Sequence, residues 1–137
     1  SSAESAAWDA NAQKVAALYD GFAWPQLKGT KVNGRLTRDE NIADIAGLEL
    51  ARAALVATLP AGGAAADKDF YRGWAQVWAQ QVTIDEAQRR SLQDVRAPGL
   101  WRSNGPIMQQ GAFGSAYGCK AGTPMQPKPE QRIGIFR

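Results

Sequence analysis

Apolar residues along this chain recur mostly at three- and four-residue steps, so it reads as a mainly α-helical protein. From Ser1 to about Tyr19 the sequence is alanine-rich, with Trp8, Val15, Leu18 and Tyr19 at helical spacing; Gly21 and Pro25 end this helix. Lys28 to Arg35 holds Gly29, Asn33 and Gly34 and is expected as a loop or short hairpin. Thr37 and Glu40 have the spacing of a capping box, which predicts a helix from about Arg38 to Thr58, stopped by Pro60, Gly62 and Gly63. After a small-residue loop from Ala61 to Ala66, Asp67 is the expected cap of a helix carrying Phe70, Trp74, Val77 and Trp78 on one apolar stripe. Thr83 and Glu86 form a second capping box, for a helix ending near Gln93. Pro98 and Gly99 open a loop, a weaker helical stretch covers Ile107 to Tyr117, and Gly118 to Arg137 is expected as an ordered but irregular tail. Neither an internal repeat nor a linker divides the chain, so residues 1–137 are read as one unit.

Composition narrows the picture. With 137 residues, 45% apolar and 21% charged, the chain has the make-up of a soluble globular domain with a core. Five tryptophans point to helix–helix contacts or a binding surface. The net charge of +3 is spread along the chain without a run of Lys or Arg, so nucleic acid is not an expected partner. No apolar run reaches the roughly 18 to 20 residues that span a bilayer. The first residue is Ser and no signal peptide is evident, which reads as a start after a cleavage or at an imposed boundary. A single cysteine, Cys119, makes no internal disulfide. There is no histidine, the commonest metal ligand and general base. Metal or acid–base chemistry must therefore rest on carboxylates or on groups from another chain.

Two clusters carry candidate chemistry. Glu40 and Asp44 lie four apart and share a helix face with Gly47, Leu48, Ala51 and Leu55. A carboxylate on a largely apolar face needs a cation, a metal or hydrogen bonds. Glu40 as a metal ligand and Asp44 as the support for a ligating histidine is one reading. Glu40 as a capping residue and Asp44 as the partner of an arginine is the other. Arg96 and Arg102 flank Ala97-Pro98-Gly99-Leu100-Trp101. They suit carbonyl or carboxylate recognition, or a solvated surface with one structural salt bridge.

Glu40-Asn41-Ile42-Ala43-Asp44 resembles the E-N-I-A-D element of the neprilysin and endothelin-converting-enzyme family of zinc metallopeptidases. It follows Val32-Asn33-Gly34 and Leu36-Thr37 and runs into Ala46-Gly47-Leu48. Phe70 and Gly73-Trp74-Ala75-Gln76-Val77-Trp78 resemble the family's aromatic helix. Asp94 to Arg102 resembles its D-x-H-x-P-x-x-x-R loop, followed by Asn104-Gly105, and the tail from Phe113 through Cys119 to Phe136 also fits. Several motifs in one order make this far more specific than a single match. The resemblance is to bacterial members more than animal ones, because the place of the second tail cysteine is taken by Ile133, leaving Cys119 unpaired.

The resemblance implies the C-terminal helical part of a thermolysin-like (gluzincin) catalytic domain. It makes Glu40 the third zinc ligand, Asp44 the residue that orients a zinc histidine, and Arg102 the grip on a substrate carbonyl. Arg96 stands where the family has its oxyanion histidine. The two histidine ligands and the general base would come from an upstream H-E-x-x-H segment that these residues do not include. Zinc is expected only with that segment and not in the isolated chain, which would be inactive alone. The expected partners are the upstream catalytic segment, a peptide substrate and a second copy of the chain meeting exposed apolar surface. A non-catalytic module that binds peptides or a protein is the alternative, and a helical domain with no site is a third. The family suggests a periplasmic or secreted location, although nothing in the sequence itself reports a compartment.

Overall fold

The computed structural model describes residues 2–59 and 64–136. Among the described residues six α-helices follow in order: α1 (Ser2–Asp20), α2 (Gly34–Thr58), α3 (Ala64–Val77), α4 (Ile84–Gln93), α5 (Gly99–Ile107) and α6 (Gly111–Tyr117). Among the described residues the only β features are two isolated bridges, Ala23 with Lys31 and Thr123 with Gln126. The first closes a turn over residues 23–31, whereas the expected loop or short hairpin covers Lys28 to Arg35. Pro60, Ala61, Gly62 and Gly63, the expected stop of α2 and start of the small-residue loop, lie outside the described residues.

The start of α2 differs from the capping-box reading. Asn33 is the cap, its side-chain oxygen accepting from the Leu36 amide at 2.9 Å. Thr37 sits one turn inside, where its hydroxyl donates to the Asn33 carbonyl at 2.9 Å and accepts from the Asn41 amide at 2.8 Å. With Thr37 buried and so engaged, no capping box exists, and Glu40 is released from that role. The Gly34 amide is met by the Asp20 carboxylate at 2.7 Å, which satisfies one of the orphan donors of the helix start. Here α1 and α2 approach so closely that a Cβ on Gly34 would overlap the Ala16 carbonyl. Gly34→Ala should therefore destabilise the fold by about 2 to 3 kcal/mol, read from the urea midpoint.

Helix α3 begins at Ala64, before Asp67, so Asp67 is not its cap. Its carboxylate instead takes both Nε and Nη2 of Arg52, at 2.9 and 3.1 Å, tying α3 to α2. Phe70 and Trp74 pack into the core, but Val77 is 68% exposed and leaves the predicted stripe. Trp8 of α1 likewise faces outward, while Val15 and Tyr19 are fully buried.

Helix α4 matches its expected span. Thr83 accepts from the Glu86 amide at 3.2 Å, but the Glu86 carboxylate does not complete a box. It pairs with Arg89 at 2.7 Å and Arg90 at 2.6 Å. Hydrogen bonds from Arg89 and then Arg90 hold its pKa down at about 2, against an ordinary 4.5. A depressed carboxylate stabilises the folded state above its unfolded pKa and loses that contribution as pH falls through the folded value. Glu86→Gln should accordingly flatten the stability profile between about pH 4.5 and 2, and the effect should be small because these groups face solvent.

The segment after Pro98 is the largest departure from the sequence reading. It is a helix, α5, not a loop, with Pro98 at its cap and the Trp101 and Arg102 amides donating to the Pro98 carbonyl. Likewise Ile107 to Tyr117 is not one helical stretch: α5 ends at Ile107 and α6 begins at Gly111. Pro106 lies inside α5 and has no N–H to give the carbonyl of Arg102, four residues back. The Trp74 indole supplies the missing donor, at 3.2 Å to Arg102 O and 3.3 Å to Ser103 O.

Two apolar clusters hold these helices. One joins Val15, Tyr19, Trp24, Val32, Ile42, Ile45, Ala87 and Ala97; the other joins Leu48, Tyr71 and Ile107, flanked by Phe70, Trp74 and Phe113. The irregular tail is ordered by Gln109, buried, whose amide donates to Gly105 O at 3.1 Å and accepts from the Ile133 amide at 2.8 Å. Ile133 is buried in the first cluster and Cys119 is a free thiol. None of the described helices is long and apolar enough to cross a membrane.

Candidate metal and substrate site

Helix α2 presents Glu40 and Asp44 one turn apart, toward the start of α5. Asp44 and Arg102, 58 residues apart in sequence, form a two-bond pair: Nε to Oδ2 at 2.7 Å and Nη2 to Oδ1 at 2.8 Å. Both side chains are largely buried, at 9% and 13% exposure. Two parallel charge-assisted bonds fix the guanidinium plane as well as its place. Hydrogen bonding to Asp44 raises the Arg102 pKa further, against the cost of burial.

Three aromatic residues set this pair in position. The Arg102 guanidinium lies 3.7 Å over the Trp78 ring, a cation–π contact. Trp101, its neighbour on α5, stacks on Phe22 with centroids 4.0 Å apart and planes 7° apart, and its indole donates to Ala23 O at 2.7 Å. Tyr19 lies beneath, donating to Trp101 O at 3.3 Å. Burial, then the Asp44 carboxylate, pushes its pKa well above the usual tyrosine value, so it stays a neutral donor. A Cβ on Gly105 would meet the Tyr19 hydroxyl, so glycine there lets α5 sit down on α1.

Glu40 and Arg96 are the open half of the site. Glu40 is 38% exposed and meets Arg96, 54% exposed, at 3.6 Å, a salt bridge too long to be a hydrogen bond. Arg96 is carried by the turn between α4 and α5, where its amide donates to the Asp94 carboxylate at 3.0 Å. A cavity of about 330 Å³ runs between Trp24, Trp78, Arg96, Leu100 and Arg102. Glu40, Asp44, Arg96 and Arg102 are thus brought together. On the Glu40–Asp44 face Leu48 is buried, but Gly47 and Ala51 are exposed. The roles of Trp78 and Tyr19 in seating Arg102 and Asp44 were not anticipated. Trp78 reads from sequence as one more stripe residue, and its step of four from Trp74 is the signal that put it near the site.

Among the described residues no cluster of three or more His, Cys, Asp or Glu could hold a metal ion. The donor chemistry fits one ligand of a larger set. Glu40 is a half-open carboxylate, neither capping a helix nor bound within hydrogen-bond distance to Arg96, whereas each Asp44 oxygen already accepts one bond from Arg102.

The model of peptidase family M13 matches residues 1–133. Neprilysin-2 of Caenorhabditis elegans is 30% identical over 131 residues, covering 89% of this chain and 18% of its own length. Endothelin-converting enzyme 1 of Cavia porcellus is 30% identical over 125 residues, covering 85% of this chain and 17% of its own. The chain therefore spans under a fifth of the length of either relative. Among solved structures, PepO from Lactobacillus rhamnosis is similar with a TM-score of 0.86 at 30% identity, over 99% of this chain and 21% of that one. The zinc metalloprotease Zmp1 of Mycobacterium tuberculosis, in complex with inhibitor, gives a TM-score of 0.84 at 26% identity, over 96% and 22%.

Proposed function

Because the chain belongs to peptidase family M13, we propose that residues 1–137 form the C-terminal part of the catalytic domain of a zinc endopeptidase, completed by an upstream H-E-x-x-H segment. The observation that carries this reading is Glu40: a half-open carboxylate beside a buried, aromatic-framed Asp44–Arg102 pair. A capping role had been its simplest structural explanation, and the cap is Asn33.

In this reading Glu40 would supply one carboxylate oxygen to the metal, and two upstream histidines would supply ring nitrogens as the other protein ligands. Zinc, when bound, polarises the scissile carbonyl and activates water. Asp44 holds Arg102 through both oxygens, and each oxygen keeps a lone pair for the N–H of a metal-binding histidine. Arg102 uses Nε and Nη2 on Asp44, which leaves Nη1 as the nitrogen that would donate to a carbonyl of the peptide. Arg96 stands beside Glu40 as a hydrogen-bond donor facing the substrate. The proposed partners are the upstream segment and a peptide, and a periplasmic or secreted place of work is what the family resemblance implies.

The test is to compare the 137-residue chain with a complete polypeptide carrying H-E-x-x-H. The complete form should hold one zinc and cleave peptides, whereas the short chain should do neither. Tight peptide binding by the short chain in EDTA, with no gain from the upstream segment, would point to a binding module instead.

A further inference from the structure

We propose that the cavity beside Arg102 receives a carboxylate of the bound peptide, either an acidic side chain or the C-terminal carboxylate, and that Arg96 selects it. The proposal rests on the peptidase reading above. Three guanidinium groups line the cavity, those of Arg90, Arg96 and Arg102, against one carboxylate, Asp94. Two of the three are already satisfied by acids that stand outside the lining: Arg90 by Glu86 at 2.6 Å and Arg102 by Asp44 at 2.7 Å. Asp94 gives an oxygen to the Arg96 backbone amide.

Arg96 is the group left with unused capacity. Its ion pair is with Glu40, at 3.6 Å, longer than a hydrogen bond, and its side chain is 54% exposed. A guanidinium has five donors in a planar fork that matches a carboxylate. If Glu40 serves a metal, as proposed, that weak pairing is withdrawn and the cavity gains an uncompensated cation. Trp24, Trp78 and Leu100 wall the cavity. Low-polarity walls strengthen a charge pair formed between them. A peptide held at its backbone by Arg102 would bring a neighbouring carboxylate within reach of Arg96.

The experiment uses the complete, zinc-loaded enzyme and matched peptides differing in one group: internal Glu against Gln, and a free C-terminus against its amide. Whichever carboxylate is read should raise kcat/KM by roughly tenfold to a hundredfold over its neutral counterpart. The two pairs tell the side chain from the terminus. Arg96→Gln should bring that ratio close to one, and Arg96→Lys should keep part of it, with zinc content checked in each variant. Calorimetric binding of the same peptides to the Glu40→Gln enzyme, in which the Arg96 pairing is absent with or without zinc, gives a readout independent of turnover. An unchanged acidic preference in Arg96→Gln, or no preference in the parent enzyme, overturns the proposal. Absence of zinc binding and hydrolysis with every peptide sinks the peptidase reading instead, and the calorimetric ratio in Glu40→Gln, with and without Arg96→Gln, then still decides the role of Arg96.

Discussion

Glu40→Gln in the complete enzyme is expected to strip the zinc and abolish peptide hydrolysis while leaving the fold intact. The carboxylate is half open, and its contact with Arg96 spans 3.6 Å between two partly solvated groups. Such pairs contribute no more than about 1 kcal/mol to stability. Loss of a ligand should cost more affinity than the roughly 10- to 100-fold that follows loss of a residue merely supporting a ligand. Metal analysis and a thermal melt on the same sample separate the two effects. Full zinc occupancy in Glu40→Gln would remove Glu40 from the metal site; a melt lowered by many degrees would show instead that it holds the fold.

Arg102→Ala should behave in the opposite way, damaging stability as well as peptide binding. Asp44 is 9% exposed and both its oxygens bond to this one guanidinium. Removing the arginine leaves a buried carboxylate without its cation, a change that typically costs about 3 to 5 kcal/mol. It also takes the cation from the Trp78 ring. Replacing both partners by apolar residues, Arg102→Met with Asp44→Leu, should recover most of the lost stability but no peptide binding, because the stranded charge is gone while the grip is not restored. Chemical denaturation of the two variants side by side decides the matter. Equal midpoints for the single and double variants would mean that the pair is not coupled.

Much of this architecture was legible along the chain. The periodicity from Ser1 to Tyr19, the cap at Thr83 and the stops at Gly21 and Gly118 are local features, and α1, α4 and the end of α6 follow them closely. The Glu40–Asp44 spacing places both acids on one face, since that depends only on the helical repeat. The ordered motifs also pointed to the family, which the match over residues 1–133 shows.

Other features depend on neighbours distant in sequence. Thr37 looks like a cap, but α2 starts a turn earlier, where Asp20 of α1 receives the Gly34 amide and Asn33 caps the helix. Pro98-Gly99 and Pro106 look like helix breakers, yet α5 forms because Trp74, 28 residues away, donates to the carbonyl that Pro106 leaves unpaired, and Trp101 anchors on Ala23. The sequence determined the helical class, the face shared by Glu40 and Asp44, and the family. Only the tertiary structure decided that Asp44 meets Arg102, that Trp78 lies under it, and that Glu40 keeps an open carboxylate beside Arg96. Local patterns report backbone preference within a turn or two, whereas the partner of a buried charge is whichever side chain packing brings within about 3 Å.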